Sequence, residues 1–508
     1  MKKRPSLAPI VWFIASGVTV LLLACAGRYG IFRDEFYYLM CAEHPAWGYV
    51  DHPPLAMVFL SAWKALFGAS VMALRVPAAL LAGMSVLGAA LLAREMRGTA
   101  HAQSIAALAV GLMPGMLALG SFFSMNSFDV VFWLFAAWLV CRLCDPAGSR
   151  SYWWLLAFMI GIGLLNKYSM GFLAAGLGIG ILFSPLRREV WSKRLLALLI
   201  PCVVVLPHIL WQLRHGWPSL EFIKNAHNLK NVALDPLSFW LEQLLFAHPL
   251  FFPLGIIGLI GLLFSSKLRS WRPLGLAFLV IGIGLTLTNA KVYYLVPAYP
   301  MIMAAGAVVA GHWLSKLRKG KQVIAALVAL LLLTAGAVTV PLAIPLLPVT
   351  GYTAYEHTLG IRPKQMEHNV AGALPQHFAD RFGWPELART VSGVASSLQA
   401  GSKKVLVLAA NYGECGAINY YGLPAGIPAA VSGHNTCFLW WPADYVPDVV
   451  ILVGFSRKTA DKLFDSVELA ATHTSRWAMP YEQDLPVWLC REPKYAWERI
   501  RKAMRFAI

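Results

Sequence analysis

The 508 residues are 58% hydrophobic and only 13% charged, about half the charged share of a soluble domain; long apolar runs make the difference and exclude a purely soluble fold. The formal net charge of +18 does not mark a nucleic-acid binder. Residues 1–349 hold 27 Lys and Arg against 11 Asp and Glu, whereas residues 350–508 hold 16 against 14, so the excess lies between apolar segments, where it orients them in a membrane.

The pattern predicts a polytopic α-helical membrane protein. After a basic tip, Met1 to Arg4, residues 8–27 form a first span. It is longer than a signal-peptide core, lacks a clear small-residue cleavage site, and reads as a retained helix with a cytoplasmic N-terminus. The stretch 29–70 then lies outside. Pro45, Pro53 and Pro54 break it, and residues 55–67 suit a helix lying along the interface. Ten further spans are expected near 71–93, 102–119, 122–141, 152–166, 168–184, 195–213, 248–266, 273–289, 293–312 and 322–345. The alternate loops assigned to the inside carry 18 of the 27 basic residues, among them Arg94, Arg97, Arg187, Arg188, Lys267, Arg269, Lys316 and Arg318, with only Glu95, Asp145 and Glu189 as acids. Eleven spans and this bias put residues 29–70, residues 214–247 and the whole C-terminal region on the outer face of the membrane.

The first outer stretch, RYGIFRDEFYYLMCAEHPAWGYVDHPPL, holds four carboxylates, Asp34, Glu35, Glu43 and Asp51, and the histidines His44 and His52. Only seven other acids occur in residues 1–349. A carboxylate cluster at a membrane face is costly unless water, ligand or chemistry uses it. Two outer lysines, Lys167 in LLNKYSM and Lys291 in NAKVYYLVPAYP, are each followed by tyrosine: Tyr168, then Tyr293 and Tyr294. Such Lys–Tyr groups form interfacial belts; facing an acidic loop, they also suit an anion site beside a carboxylate. Arg214, His215, His227 and Lys230 belong to a third outer segment of amphipathic character. Asp129, after Asn126 and Ser127, fits a cap or a polar helix contact as well as chemistry.

From residue 350 the composition becomes that of a water-exposed domain. KKVLVLAA (403–410), PDVVILVGF (447–455) and LPVWLC (485–490) read as buried strands, with a short helix in NYGECGAINYYG and another around 458–468: a small α/β layer domain over 350–508. Its glycines make neither GxGxxG nor a P-loop. The eight cysteines do not space as a metal site, and a Cys415–Cys437 disulfide is compatible with an oxidising compartment. His44 and His52 are candidate ligands for a divalent ion.

Together, DEFYY…AEHPAWGYVDHPPL, NKYSM and NAKVYYLVPAYP resemble bacterial membrane glycosyltransferases of the family-39 type, relatives of the protein O-mannosyltransferases and the lipid A aminoarabinose transferases; NYGECGAINYYG…SGHN extends the likeness into the tail. The resemblance implies a GT-C fold, a catalytic acid in the first outer loop, a polyprenyl-monophosphate sugar donor, and a lipid, glycan or protein acceptor on the outer face. The acidic pair of the family maps onto Asp34 and Glu35. Glu43, His44, Asp51 and His52 are expected to shape the acceptor cavity. Lys167, Tyr168, Lys291, Tyr293 and Tyr294 are candidate donor-phosphate contacts read from placement alone. The chemistry is coherent: a carboxylate takes the acceptor proton and cations stabilise the leaving lipid phosphate. A transporter or flippase for a lipid-linked sugar is the alternative, but it needs polar groups at mid-membrane depth, and this chain concentrates them at the outer ends.

Overall fold

The computed structural model describes residues 5–508 except 146–147, 191–192, 233, 317–319, 366 and 399–403. The basic tip Met1–Arg4, Arg318, Lys319 and Lys403 lie outside the described residues.

The chain opens with α1 (Pro9–Cys25), α2 (Arg33–Glu43), α3 (Leu55–Phe67) and α4 (Val71–Glu95). All eleven expected spans fall on helices, but length divides them. Six are long and apolar enough to cross a membrane: Val71–Glu95, Met125–Leu143, Leu196–Arg214, Arg269–Leu287, Val292–Lys316 and Gln322–Ala343. Two more count if bent pairs are single spans: Ala100–Gly111 with Pro114–Gly120, broken by 63°, and Pro236–Ala247 with Phe252–Phe264, broken by 109°. The first break falls at Pro114, which cannot donate into the preceding helix. α1, Tyr152–Asn166 and Met170–Leu182 are shorter apolar helices. α3, where an interfacial helix was expected, buries Ala56, Met57 and Leu60 and leaves Leu66 and Phe67 exposed.

The start of α2 is fixed by a charge. Arg75, on the second turn of α4 and fully buried, donates to the carbonyls of Ala26, Arg28 and Gly30. These carbonyls belong to the turn that follows α1 and leads into α2. Gly30 sits at φ +85°, and a Cβ there would meet the Arg381 carbonyl at 2.7 Å. This tight turn aims α2 back across the end of the bundle.

The C-terminal region contributes a five-stranded sheet of β1 (Val405–Ala409), β2 (Val431–Ser432), β3 (Val449–Val453), β4 (Phe464–His473) and β5 (Leu485–Pro493), in the order β2-β1-β3-β5-β4. β1 runs parallel to β2 and β3, while β5 pairs antiparallel with β3 and β4. The three expected strands are β1, β3 and β5. The expected helix at 458–468 ends at Leu463, and its second half is β4. Phe464–His473 pairs along β5 as a largely exposed strand, so partner hydrogen bonds rather than periodicity decide its state.

β1 and β3 are buried on both faces. Leu406, Leu408, Val450 and Leu452 pack on Trp441, Trp497 and Ile500. Val405, Val407, Val449 and Ile451 share a cluster with Trp384, Val391, Ile418 and, from α2, Phe36, Tyr37 and Met40. The helix Tyr412–Tyr421 lies directly on α2. Gly416 permits that approach, since a Cβ there would stand 2.8 Å from the Phe36 Cβ. The sheet layer therefore rests on the first loop of the membrane region, which places α2 between the two.

Candidate active site

Asp34 and Glu35 occupy the first turn of α2. Successive helical residues point about 100° apart, and here the two carboxylates meet different worlds. Glu35 faces inward and its side chain has no exposure. Its Oε2 accepts from the Phe32 amide at 2.8 Å, capping the helix, and its Oε1 accepts from the Phe123 amide at 2.9 Å. Arg75 adds Nη2 at 3.2 Å and Nε at 3.4 Å. A carboxylate with four donors around it and no exposed surface orders the loop. Where a catalytic share was expected of Glu35, the structure shows this clamping contact.

Asp34 points the other way. Its side chain keeps 31% exposure. Oδ1 accepts from the Tyr412 hydroxyl at 2.8 Å and lies 3.7 Å from Arg33 Nε. The second oxygen is left for another group. Arg33 lies beneath it, its guanidinium 5.3 Å from the Tyr412 ring and 5.6 Å from the Tyr481 ring. Arg33 donates to the Tyr481 hydroxyl, which donates to Asp380 Oδ1 at 2.9 Å. Burial disfavours the Arg33 charge, but Asp380, Tyr412, Tyr481 and Asp34 hold it well above its ordinary value.

Lys291 and Lys230 lie within electrostatic range of Asp34. Both turn to Glu367: Lys291 Nζ is 2.6 Å and Lys230 Nζ 3.8 Å from its Oε1. Burial raises the Glu367 pKa, yet the two ammonium groups outweigh it and bring the carboxyl down to about 2. Lys167 donates to Asn126 Oδ1 at 2.6 Å and sits 4.4 Å from the centre of the Tyr294 ring. Tyr293 packs edge-on against Tyr294 at 4.8 Å. Lys167, Lys291, Tyr293 and Tyr294 are thus brought together.

Tyr168 is not with them. Its hydroxyl donates to Ser219 Oγ at 2.8 Å and meets His208 Nε2 at 2.9 Å. His208 in turn bonds the Trp47 carbonyl at 2.9 Å, so His208 ties the helix Leu199–Arg214 to the first loop and Tyr168 supports it from behind. Asp51 accepts from the Tyr37 hydroxyl at 2.6 Å and keeps 16% exposure. His52 is buried, with Nδ1 on the Pro53 carbonyl at 2.9 Å. Glu43 pairs with Lys64 of α3, and the His44 ring stacks on Trp440 at 4.5 Å with Nδ1 on the Met40 carbonyl. Both therefore brace the edge of the loop.

The divalent-ion expectation finds no matching donor set. Among the described residues no group of three or more His, Cys, Asp or Glu side chains is arranged to hold a metal, and His44 and His52 each already have one ring nitrogen engaged. Asp129 makes the polar helix contact: Oδ1 accepts from Trp133 Nε1 at 3.0 Å and Oδ2 from Ser169 Oγ at 2.6 Å. Ser124, not Asp129, caps that helix. Cys415 and Cys437 are buried free thiols, so the disulfide is not formed here. Tyr412, Glu367 and Asp380 were not singled out in the sequence. Tyr412 at least lies in the NYGECG segment that carries part of the resemblance.

A helical membrane bundle with an acidic first loop, capped at that end by a C-terminal sheet layer, is the GT-C architecture. Among solved structures, the fold is similar to ArnT from Cupriavidus metallidurans bound to undecaprenyl phosphate, with a TM-score of 0.62, 15% identity, and coverage of 95% of this chain and 98% of that one. The apo form gives 0.60, 16%, 94% and 97%. In sequence, residues 51–211 match the family model described as dolichyl-phosphate-mannose-protein mannosyltransferase. A lipid A galacturonosyltransferase of Rhizobium johnstonii is 24% identical over 232 residues, 44% of this chain and 47% of that protein. The undecaprenyl phosphate-alpha-4-amino-4-deoxy-L-arabinose arabinosyl transferase 1 of Pseudomonas fluorescens is 28% identical over 171 residues, 33% and 26% of the two chains. The matches thus span half or less of these curated relatives.

Proposed function

We propose that this chain is an inverting glycosyltransferase that moves a sugar from a polyprenyl monophosphate to a lipid, glycan or protein hydroxyl or amine. The reaction takes place at the outer face of a bacterial inner membrane, with the N-terminus cytoplasmic and residues 350–508 periplasmic. The observation that carries the reading is a partly exposed Asp34 on the first loop, held by Tyr412, at the end of an apolar bundle where Lys230 and Lys291 gather on Glu367. The fold shared with ArnT and the partial sequence matches to sugar transferases support it.

In this reading Asp34 orients the acceptor and takes its proton as it attacks the anomeric carbon. The bond from that carbon to the phosphate oxygen breaks, and the lysines stabilise the phosphate charge that leaves with the lipid. Tyr412 fixes the carboxylate through its 2.8 Å hydrogen bond, and Glu35 fixes the helix on which it stands. Asp34→Asn keeps size and the acceptor oxygen but removes the base. Turnover of a radiolabelled polyprenyl-phosphate sugar by purified variant is expected to fall at least roughly a hundredfold, the lower scale of general-base catalysis, with donor affinity near parental. Near-parental turnover on a monodisperse sample removes Asp34 from the mechanism.

A further inference from the structure

Two lysines that close on one carboxylate describe an anion seat already filled. Glu367 is buried, and Lys291 and Lys230 both address the same oxygen, Oε1, at 2.6 and 3.8 Å. Among the described residues its other oxygen accepts from Gln376 Nε2, at 3.3 Å. The backbone holds it there lightly. An isolated antiparallel bridge joins Glu367 to Asn231, and His368 N donates to the Lys230 carbonyl at 3.0 Å. The segment around it is irregular, without helix or strand among the described residues of 360–375. A small cavity of about 10 Å³, lined in part by Lys364, Glu367, Asn369 and Gln376, adjoins it.

The lysines meet the rest of the site on their other side. Lys291 is followed directly by the segment Val292–Ala298 that carries Tyr293 and Tyr294, and Tyr294 lies against Lys167. Within this group Glu367 is the acceptor that both lysines reach. A lipid phosphate, whether the sugar-bearing diester or the released monoester, cannot sit on Lys230 and Lys291 while an ionised carboxylate holds the same position, because like charges at contact range repel strongly at low dielectric. Nor do the lysines stand unpaired in its absence, which would strand two half-buried charges.

We propose that Glu367 is a placeholder for the donor phosphate: its carboxylate neutralises Lys230 and Lys291 in the empty enzyme, and the polyprenyl phosphate displaces it on binding. This rests on the glycosyltransferase reading and deepens it by adding Lys230 to the phosphate seat and by giving Glu367 a part in donor entry. Binding is an exchange of one anion for another, so the carboxylate lowers donor affinity and helps product lipid phosphate to leave.

The test is binding of a C55 polyprenyl monophosphate to full-length protein in detergent, by calorimetry at fixed ionic strength. Parent, Glu367→Gln, Glu367→Asp and Lys291→Ala are compared, each checked for a parental elution profile. Glu367→Gln is expected to bind roughly tenfold more tightly, the scale of one charge-assisted hydrogen bond no longer competed for. Glu367→Asp, whose carboxylate is drawn back by one methylene, shifts the same way by a smaller factor. Lys291→Ala binds at least roughly tenfold more weakly. If Lys291→Ala weakens binding while both Glu367 variants bind as the parent or worse, Glu367 positions the lysines and the placeholder is overturned with the phosphate seat intact. If Lys291→Ala binds as the parent, the phosphate seat itself fails, and the placeholder with it.

Discussion

Glu35→Gln separates a folding carboxylate from a catalytic one. Every group that touches Glu35 is a donor: the Phe32 amide, the Phe123 amide, and Nε and Nη2 of Arg75. Glutamine offers one acceptor oxygen and one amide donor, so one side of the new side chain must face an N–H with an N–H. The substitution also leaves Arg75, 1% exposed, as a buried guanidinium without its counter-charge. Removing one partner of a buried ion pair typically costs about 3–5 kcal/mol, and the mismatched donor adds about 1–3 kcal/mol where the loop cannot relax. Both act on the turn Ala26–Gly30 and the start of α2, so the loss shows as lower thermal stability and a smaller folded yield. The assay is a melting curve in detergent beside turnover normalised to monodisperse protein. Expected is a markedly lower transition with turnover per folded molecule within about tenfold of parental, well short of the hundredfold loss set by removal of a general base. A variant that melts with the parent but loses turnover as Asp34→Asn does would refute the reasoning and return Glu35 to the chemistry.

Two other predictions follow from the sheet layer. Tyr412→Phe deletes the hydroxyl that donates to Asp34 at 2.8 Å and keeps the ring against Arg33; turnover is expected to fall about tenfold, for a hydrogen bond to a charged group of about 1.5 kcal/mol, with melting temperature and donor affinity unchanged, and parental turnover removes Tyr412 from the site. Glu482 and Glu414 share the Asn411 side-chain amide, at 2.9 and 2.8 Å, and burial pushes the Glu482 carboxyl up to about 7. The native state therefore keeps a proton that the unfolded chain has lost above pH 4.5, so stability falls as pH rises from about 4.5 toward 7, by at most about 1.4 kcal/mol per pH unit for one group. Denaturation midpoints measured across that window should decline for the parent and decline less for Glu482→Gln; equal slopes would place the ionised carboxylate in the native state.

The sequence by itself determined the class of the molecule. Backbone groups in lipid must bond within their own segment, so long apolar runs with basic residues between them left helices as the economical solution, and all eleven runs are helical. Composition also separated the tail, and uninterrupted apolar runs marked β1 and β3 because strands buried on both faces leave no polar alternation to misread. The first loop stood out because carboxylates are scarce in such a chain. What lay beyond the sequence was direction and distance. Asp34 and Glu35 are neighbours in the chain, but the helical turn that begins at Arg33 sends one toward the cleft and the other into the bundle, and that start is set by Arg75, forty residues from Glu35. Tyr412 reaches Asp34 from 378 residues away, and Glu367 reaches Lys291 from 76. No local propensity encodes such contacts. They exist because the buried face of the sheet layer finds its apolar partner on α2, and that docking alone decides which polar groups surround the acid.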